Sequence, residues 1–304
     1  MFGSFCIMLQ QDGFPHLEES GLNEINPCHI YMIGRRPKIT LDEQSMKFTE
    51  KYIEGRFLVQ LKEDKVPIDF RTENDLGTTD VIFQCPYPHT EYLLTDGGGK
   101  FISGGKSSLL FQYMTNNYSE YLNFEVLYIG QAYGEAGLRT APDRLKEHST
   151  LQGIYAEAIS RTPDQEIWMI LWGFTPLVAT AIDGRSETIV TANEMEEENH
   201  AERLHRKFIT EQQQINFTEA TLINYFKPEY NEKFKNKFPN PAHKTYSECY
   251  ELDIFSVGVE LHTSSINCKI CSEVINPEWI HLITQPLHNV EERISALLAA
   301  LPDA

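Results

Sequence analysis

At 304 residues with 41% hydrophobic and 11% aromatic content, the chain can bury a core and hold two or three modules, and it is too apolar to be disordered. Its net charge of −18, from 26 basic and 44 acidic residues, excludes a broad basic face for nucleic acid, so any anion-binding site has to be local. The longest apolar run, 167–174, is too short to span a membrane, and six cysteines with no basic leader at the N-terminus predict a cytoplasmic protein with reduced thiols and no membrane partner.

Residues 1–105 read as a β-rich N-terminal region. Strands at 56–61 (RFLVQL) and 79–85 (TDVIFQC) are bounded by turn-rich ENDLGTT (73–79) and CPYPH (85–89). TDGGGKFISGGKSS (95–108), with five glycines, marks the boundary to the next unit. It does not make a phosphate loop, because position 100 is lysine where that template needs glycine, and a strand is expected to follow where the template needs a helix. The apolar runs LLFQYM (109–114) and FEVLYIG (124–130), joined by polar TNNYSEY (115–121), predict an antiparallel hairpin. Periodicity then predicts a helix over 141–160 carrying Arg144 and His148 four apart, and a buried strand over 166–174. An acid-rich helix is expected at 192–214, and another from Thr218, which can cap it, to Pro228, which stops it. Val290, Ile294, Leu297, Leu298 and Leu301 share one face of an amphipathic terminal helix. The expected organisation is 1–105, a central domain at 106–236, and a C-terminal extension at 237–304.

The order hairpin, helix, strand, helix, with particular polar residues on it, resembles the GIY-YIG nuclease superfamily over 109–231. Tyr128–Gly130 reads YIG. Arg144 and His148, in RLKEH, match the arginine and its basic or aromatic partner on the first helix. EATLINYFKPEYN (219–231) matches the metal-binding glutamate with its trailing asparagine, here Glu219 and Asn231. The first motif departs from the pattern: Phe111-Gln112-Tyr113 stands in its place and keeps only the tyrosine. A literal Gly-Ile-Tyr at 153–155 follows YIG, inside the Arg144 helix, and is read as coincidence.

The resemblance implies an α+β fold, a small three-stranded antiparallel sheet flanked by helices. It implies a metal-dependent endonuclease that hydrolyses phosphodiester bonds, with DNA ahead of RNA as substrate and restriction or phage defence as the setting. Glu219 would hold Mg²⁺ or Mn²⁺, an ion that keeps most of its waters and needs few protein ligands. Arg144 would face the phosphate, Tyr113 would be the general base if its pKa is lowered, Tyr128 and His148 would orient water or pass a proton, and Asn231 would fix the pocket. A catalytically weak interaction module, docked on a protein partner or a second copy, is the alternative. The −18 charge and the altered first motif motivate it, and Tyr113 pointing away from Arg144 and Glu219 would favour it. Cys268 and Cys271 have metal-like spacing but no second pair; Cys249, His262 or His281 are the residues that would complete a zinc site.

Overall fold

The computed structural model describes residues 1–115, 118–134, 139–146, 148–176, 210–236 and 256–286. Its strands are β1 (Phe2–Leu9), β2 (Ile30–Pro37), β3 (Ile39–Leu41), β4 (Lys47–Phe48), β5 (Tyr52–Leu61), β6 (Asp64–Glu73), β7 (Val81–Gln84), β8 (Glu91–Asp96), β9 (Phe101–Lys106), β10 (Phe124–Gln131), β11 (Gln165–Thr175), β12 (Ser256–His262), β13 (Ile270–Cys271) and β14 (Ile280–Pro286). The helices are α1 (Phe14–Ser20), α2 (Leu22–Ile25), α3 (Ser107–Met114), α4 (Ala141–Leu145), α5 (Ser149–Arg161) and α6 (Glu211–Phe226). The fold is mixed α+β. None of the described helices is long and apolar enough to cross a membrane.

One seven-stranded sheet, ordered β13-β10-β2-β11-β1-β12-β14, organises the molecule. Its centre is four antiparallel strands, β10, β2, β11 and β1, rather than the small three-stranded sheet expected. IYMI in β2 and IWMILW in β11 are apolar at every position because both faces of the sheet are covered. On one face Ile30, Met32, Phe124, Val126 and Trp168 pack with Ile215, Leu222 and Phe226 of α6. On the other, Tyr31, Ile33, Leu127 and Met169 pack with Leu17 of α1, Leu145 of α4 and Ile154 of α5. Arg35 and Glu125, register partners on β2 and β10, form a bidentate pair at 2.8 and 2.9 Å that locks the alignment of those strands.

The hairpin expected from 109–114 and 124–130 is therefore different. The partner of β10 is β2, ninety residues upstream, and 109–114 lies within α3. Phe111 is fully buried while Leu110 and Met114 pack beside it, a helical spacing that a six-residue apolar run does not distinguish from a strand. The step from β9 into α3 also overturns the expected strand after the glycine-rich stretch. Lys106 at that junction is committed to Asp12 and Glu91, each at 2.5 Å, rather than free for a phosphate. Between β2 and β10 the chain builds a separate β layer, with β5 flanked by β3, β4 and β6, and β7-β8-β9 beside it, around Ile39, Phe57, Val59 and Phe111. The 105/106 division consequently does not match the sheet, since β1 and β2 from the N-terminal region share it with β10 and β11.

Helix boundaries were also redrawn. The single helix expected at 141–160 is two helices, and His148 is the N-cap of the second, its ring accepting from the Leu151 amide at 3.2 Å. α6 starts at Glu211 under a capping box of Thr210 and Gln213. Thr218 lies inside that helix and donates to the Gln214 carbonyl at 2.7 Å. The helix ends at Lys227, in the left-handed region, just before Pro228. The acid-rich helix up to residue 209, and the terminal amphipathic helix at 289–301, fall outside the described residues.

Two glycines give a direct contrast. A Cβ on Gly130 would stand 2.5 Å from Cζ and Oη of Tyr31, whereas Gly153, inside α5, has open space around it. Gly130→Ala is expected to lower stability by about 1–3 kcal/mol through overpacking. Gly153→Ala should raise it by about 0.5–1 kcal/mol through helix propensity. Urea denaturation of both variants checks the pair.

Candidate functional site

A bulge in β10 sets the site. Val126 pairs with Gly34 but Tyr128 pairs with Ile33, so Leu127 is the extra residue. Regular alternation would send Tyr128 to the α6 face. The bulge instead places Leu127 and Tyr128 together on the opposite face, beside Tyr31. Tyr31, opposite Gly130 in the register, lays its phenol over that glycine. The ring centroids of Tyr31 and Tyr128 are 6.2 Å apart, and His148 meets them edge-on at 5.6 and 5.2 Å.

Charged groups of both signs act on the two phenols. Arg144, exposed on α4, acts on both Tyr31 and Tyr128 and draws their pKa values down. Glu219 of α6 pushes both up, and burial, the largest cause, leaves both raised above the ordinary tyrosine value. A lowered tyrosine pKa, the condition for a phenolate base, is thus not present at either position. Burial, then Arg144 and Arg139, lowers the pKa of His148. Because its Nδ1 accepts from the Leu151 amide, the neutral ring carries its proton on Nε2. His148 is therefore a hydrogen-bond donor, and passing a proton through it would cost the α5 cap.

Glu219 sits at the end of β10. The side-chain amide of Gln131 donates to Glu219 at 2.8 Å and to Asn216, one helical turn earlier, at 2.7 Å. Burial raises the Glu219 carboxyl to about 7, against which the Gln131 hydrogen bonds and Lys233 act. Asn231, seven percent exposed, holds the backbone: its amide oxygen accepts from the Ile129 N–H at 2.9 Å and its nitrogen donates to the Ile129 carbonyl at 2.8 Å. Both bonds replace those a neighbouring strand would make, and the Tyr230 amide adds a third to Leu127 at 3.0 Å.

Of the residues expected from the sequence, Tyr128 and His148 meet Tyr31 directly, Arg144 and Glu219 act on the two phenols by charge, and Asn231 holds the β10 backbone beside them. Tyr113 does not join them. It is 77% exposed on α3, which packs on β3 and β9. Tyr31 and Gln131 are the members that sequence reasoning missed. The signal for Tyr31 was present in HIYMIG (29–34), an apolar run with Ile-Tyr ahead of YIG, but the intervening β layer hides the pairing. Gln131 directly follows YIG and carries no pattern of its own.

A half-buried carboxylate whose charge is penalised by its surroundings would be relieved by a divalent cation that keeps most of its waters. Glu219 would hold it, with Gln131 fixing the carboxylate. Among the described residues no group of three or more His, Cys, Asp or Glu is arranged around a metal position. Cys268 and Cys271 are free thiols pushed up by burial to about 12 and about 11. His281 lies 3.2 Å from the Tyr225 hydroxyl and 3.1 Å from the Ile270 carbonyl, while Cys249 falls outside the described residues. No family model matches the chain, and no characterised protein or solved structure matches it either.

Proposed function

We propose that the protein is a metal-dependent phosphodiesterase of the GIY-YIG type, an endonuclease acting on nucleic acid, with DNA ahead of RNA. The observation that carries the reading is the cluster of Tyr31, Tyr128 and His148, with Arg144 and Glu219 both acting by charge on the two phenols. Tyr113 does point away, which favours an interaction module; Tyr31, on the strand paired with β10, supports the nuclease reading in its place. The mixed α+β architecture, with helices on both faces of the sheet, supports the reading at the level of fold class alone.

Hydrolysis forms a bond from a water oxygen to phosphorus and breaks the ester bond, with the leaving oxygen taking up a proton. Mg²⁺ or Mn²⁺ at Glu219 would supply charge neutralisation at the phosphate. Arg144, exposed at the rim, offers its planar fork to the non-bridging oxygens. Tyr31 and Tyr128, protonated at neutral pH, orient water through their hydroxyls. The Nε2–H of His148 steadies the phenols or an oxygen of the substrate. Gln131 and Asn231 act as positioning residues.

The test is nicking of supercoiled plasmid by the full chain in Mg²⁺ or Mn²⁺. Arg144→Ala is expected to slow it about a hundredfold. Wild-type protein inert on both DNA and RNA across both metals would refute the reading.

A further inference from the structure

The described residues outline a second concavity, of about 1020 Å³, formed in the inserted β layer and the turn before β11. Phe48 and Phe83, 6.1 Å apart, contribute aromatic surface, and Tyr87, 88% exposed in the loop after β7, stands at the edge with one aromatic neighbour, His89. Three lysines, Lys38, Lys62 and Lys65, line the same groove, and none of them is ion-paired among the described residues. Of the three carboxylates in the lining, two are engaged by backbone amides: Asp42 accepts from Gln44 at 3.2 Å and Asp164 from Lys62 at 3.0 Å. Only Glu43 is left without such a bond there. On a chain of net charge −18, three lysines unpaired among the described residues and gathered in one groove set this place apart, with three carboxylates balancing them in formal charge.

We infer that this groove is a binding site for single-stranded nucleic acid, with a base stacked on Tyr87 and the backbone held by Lys62 and Lys65. Exposed aromatic faces beside free ammonium groups are what a strand with stacking bases and spaced phosphates recognises. A peptide would satisfy the apolar floor but would leave the lysines without partners. The groove and the pocket described above lie toward opposite ends of β2. Lys38 is seven residues beyond Tyr31, about 23 Å at the usual strand rise. A strand lying in the groove would thus reach the cleaved phosphate several nucleotides away, and target choice would rest with the insertion. The identity of the occupant rests on the nuclease reading; the existence of the site does not.

The experiment is fluorescence anisotropy of a 5′-fluorescein-labelled 12-nucleotide oligothymidine with the full chain, in EDTA and low salt. Wild type should bind with no divalent ion present. Tyr87→Ala and the double variant Lys62→Ala/Lys65→Ala should each weaken binding about tenfold or more. Both positions are on the surface, so thermal unfolding matched to wild type guards against misfolding. Binding unchanged by Tyr87→Ala, no binding by wild type, or displacement of the oligonucleotide by an uncharged peptide but not by unlabelled oligothymidine overturns the proposal. Oligonucleotide binding with these variant effects, in a protein that cleaves nothing, sustains the groove and refutes only the nuclease.

Discussion

Tyr31→Phe is expected to lose about two to three orders of magnitude in phosphodiester cleavage, while Tyr113→Phe cleaves at the wild-type rate. The magnitude is that of removing one positioned hydrogen-bond donor from the reacting centre. The phenylalanine keeps the ring that packs against Tyr128 and His148, at 6.2 and 5.6 Å, and removes the hydroxyl that meets the influence of Arg144 and Glu219. Stability should change little, so a rate loss with an unchanged melting temperature isolates the hydroxyl. Initial rates on plasmid, measured side by side for both variants, decide the matter. A normal rate for Tyr31→Phe, or a large loss for Tyr113→Phe, would place the working tyrosine elsewhere.

Glu219→Gln should reduce cleavage to background and yet stabilise the metal-free protein at alkaline pH. The Glu219 carboxyl sits near 7 in the fold against 4.5 in a model carboxyl, chiefly because burial penalises its charge. Between those values the native state holds a proton that the unfolded chain has released. Stability from this group is therefore full below about pH 4.5 and is lost as pH rises through about 7. The loss is on the order of 3 kcal/mol at pH 8, and glutamine, which can still accept from Gln131, escapes it. Urea denaturation in EDTA should show the variant ahead of wild type at pH 8 and level with it near pH 4. The same ionisation governs cation uptake, so Mn²⁺ affinity of the wild type should rise about tenfold from pH 6 to pH 8 and flatten beyond. A variant no more stable than wild type at pH 8 would show that the carboxylate is well solvated.

The sequence carried the second half of the site better than the first. YIG, the arginine, and the glutamate with its Pro-x-Tyr-Asn ending are short, contiguous patterns, and Arg144 and Glu219 both act on the phenol of Tyr128. Strand pairing across a long insertion is a different kind of information: nothing local in HIYMIG says that its partner is FEVLYIG rather than a nearer run. LLFQYM, close by and apolar, was the wrong candidate because six residues fit a helix face as well as a strand. The bulge at Leu127, which decides the side on which Tyr128 projects, has no glycine or other marker beside it. The helix break before His148 was hidden because Arg144 and His148 keep a spacing that one continuous helix would also give. Burial at Glu219, the source of its altered acidity, depends on β10 and α6 together and is invisible in either alone.

The insertion between β2 and β10 has a consequence for how the protein is born. Closing that pair means joining segments that flank an entire β layer, a slow and entropically costly event compared with zipping a tight turn. The carboxylate on α6 and the Asn231 clasp on Ile129 emerge later still from the ribosome. The Asn231 clasp therefore cannot form until synthesis has passed residue 231.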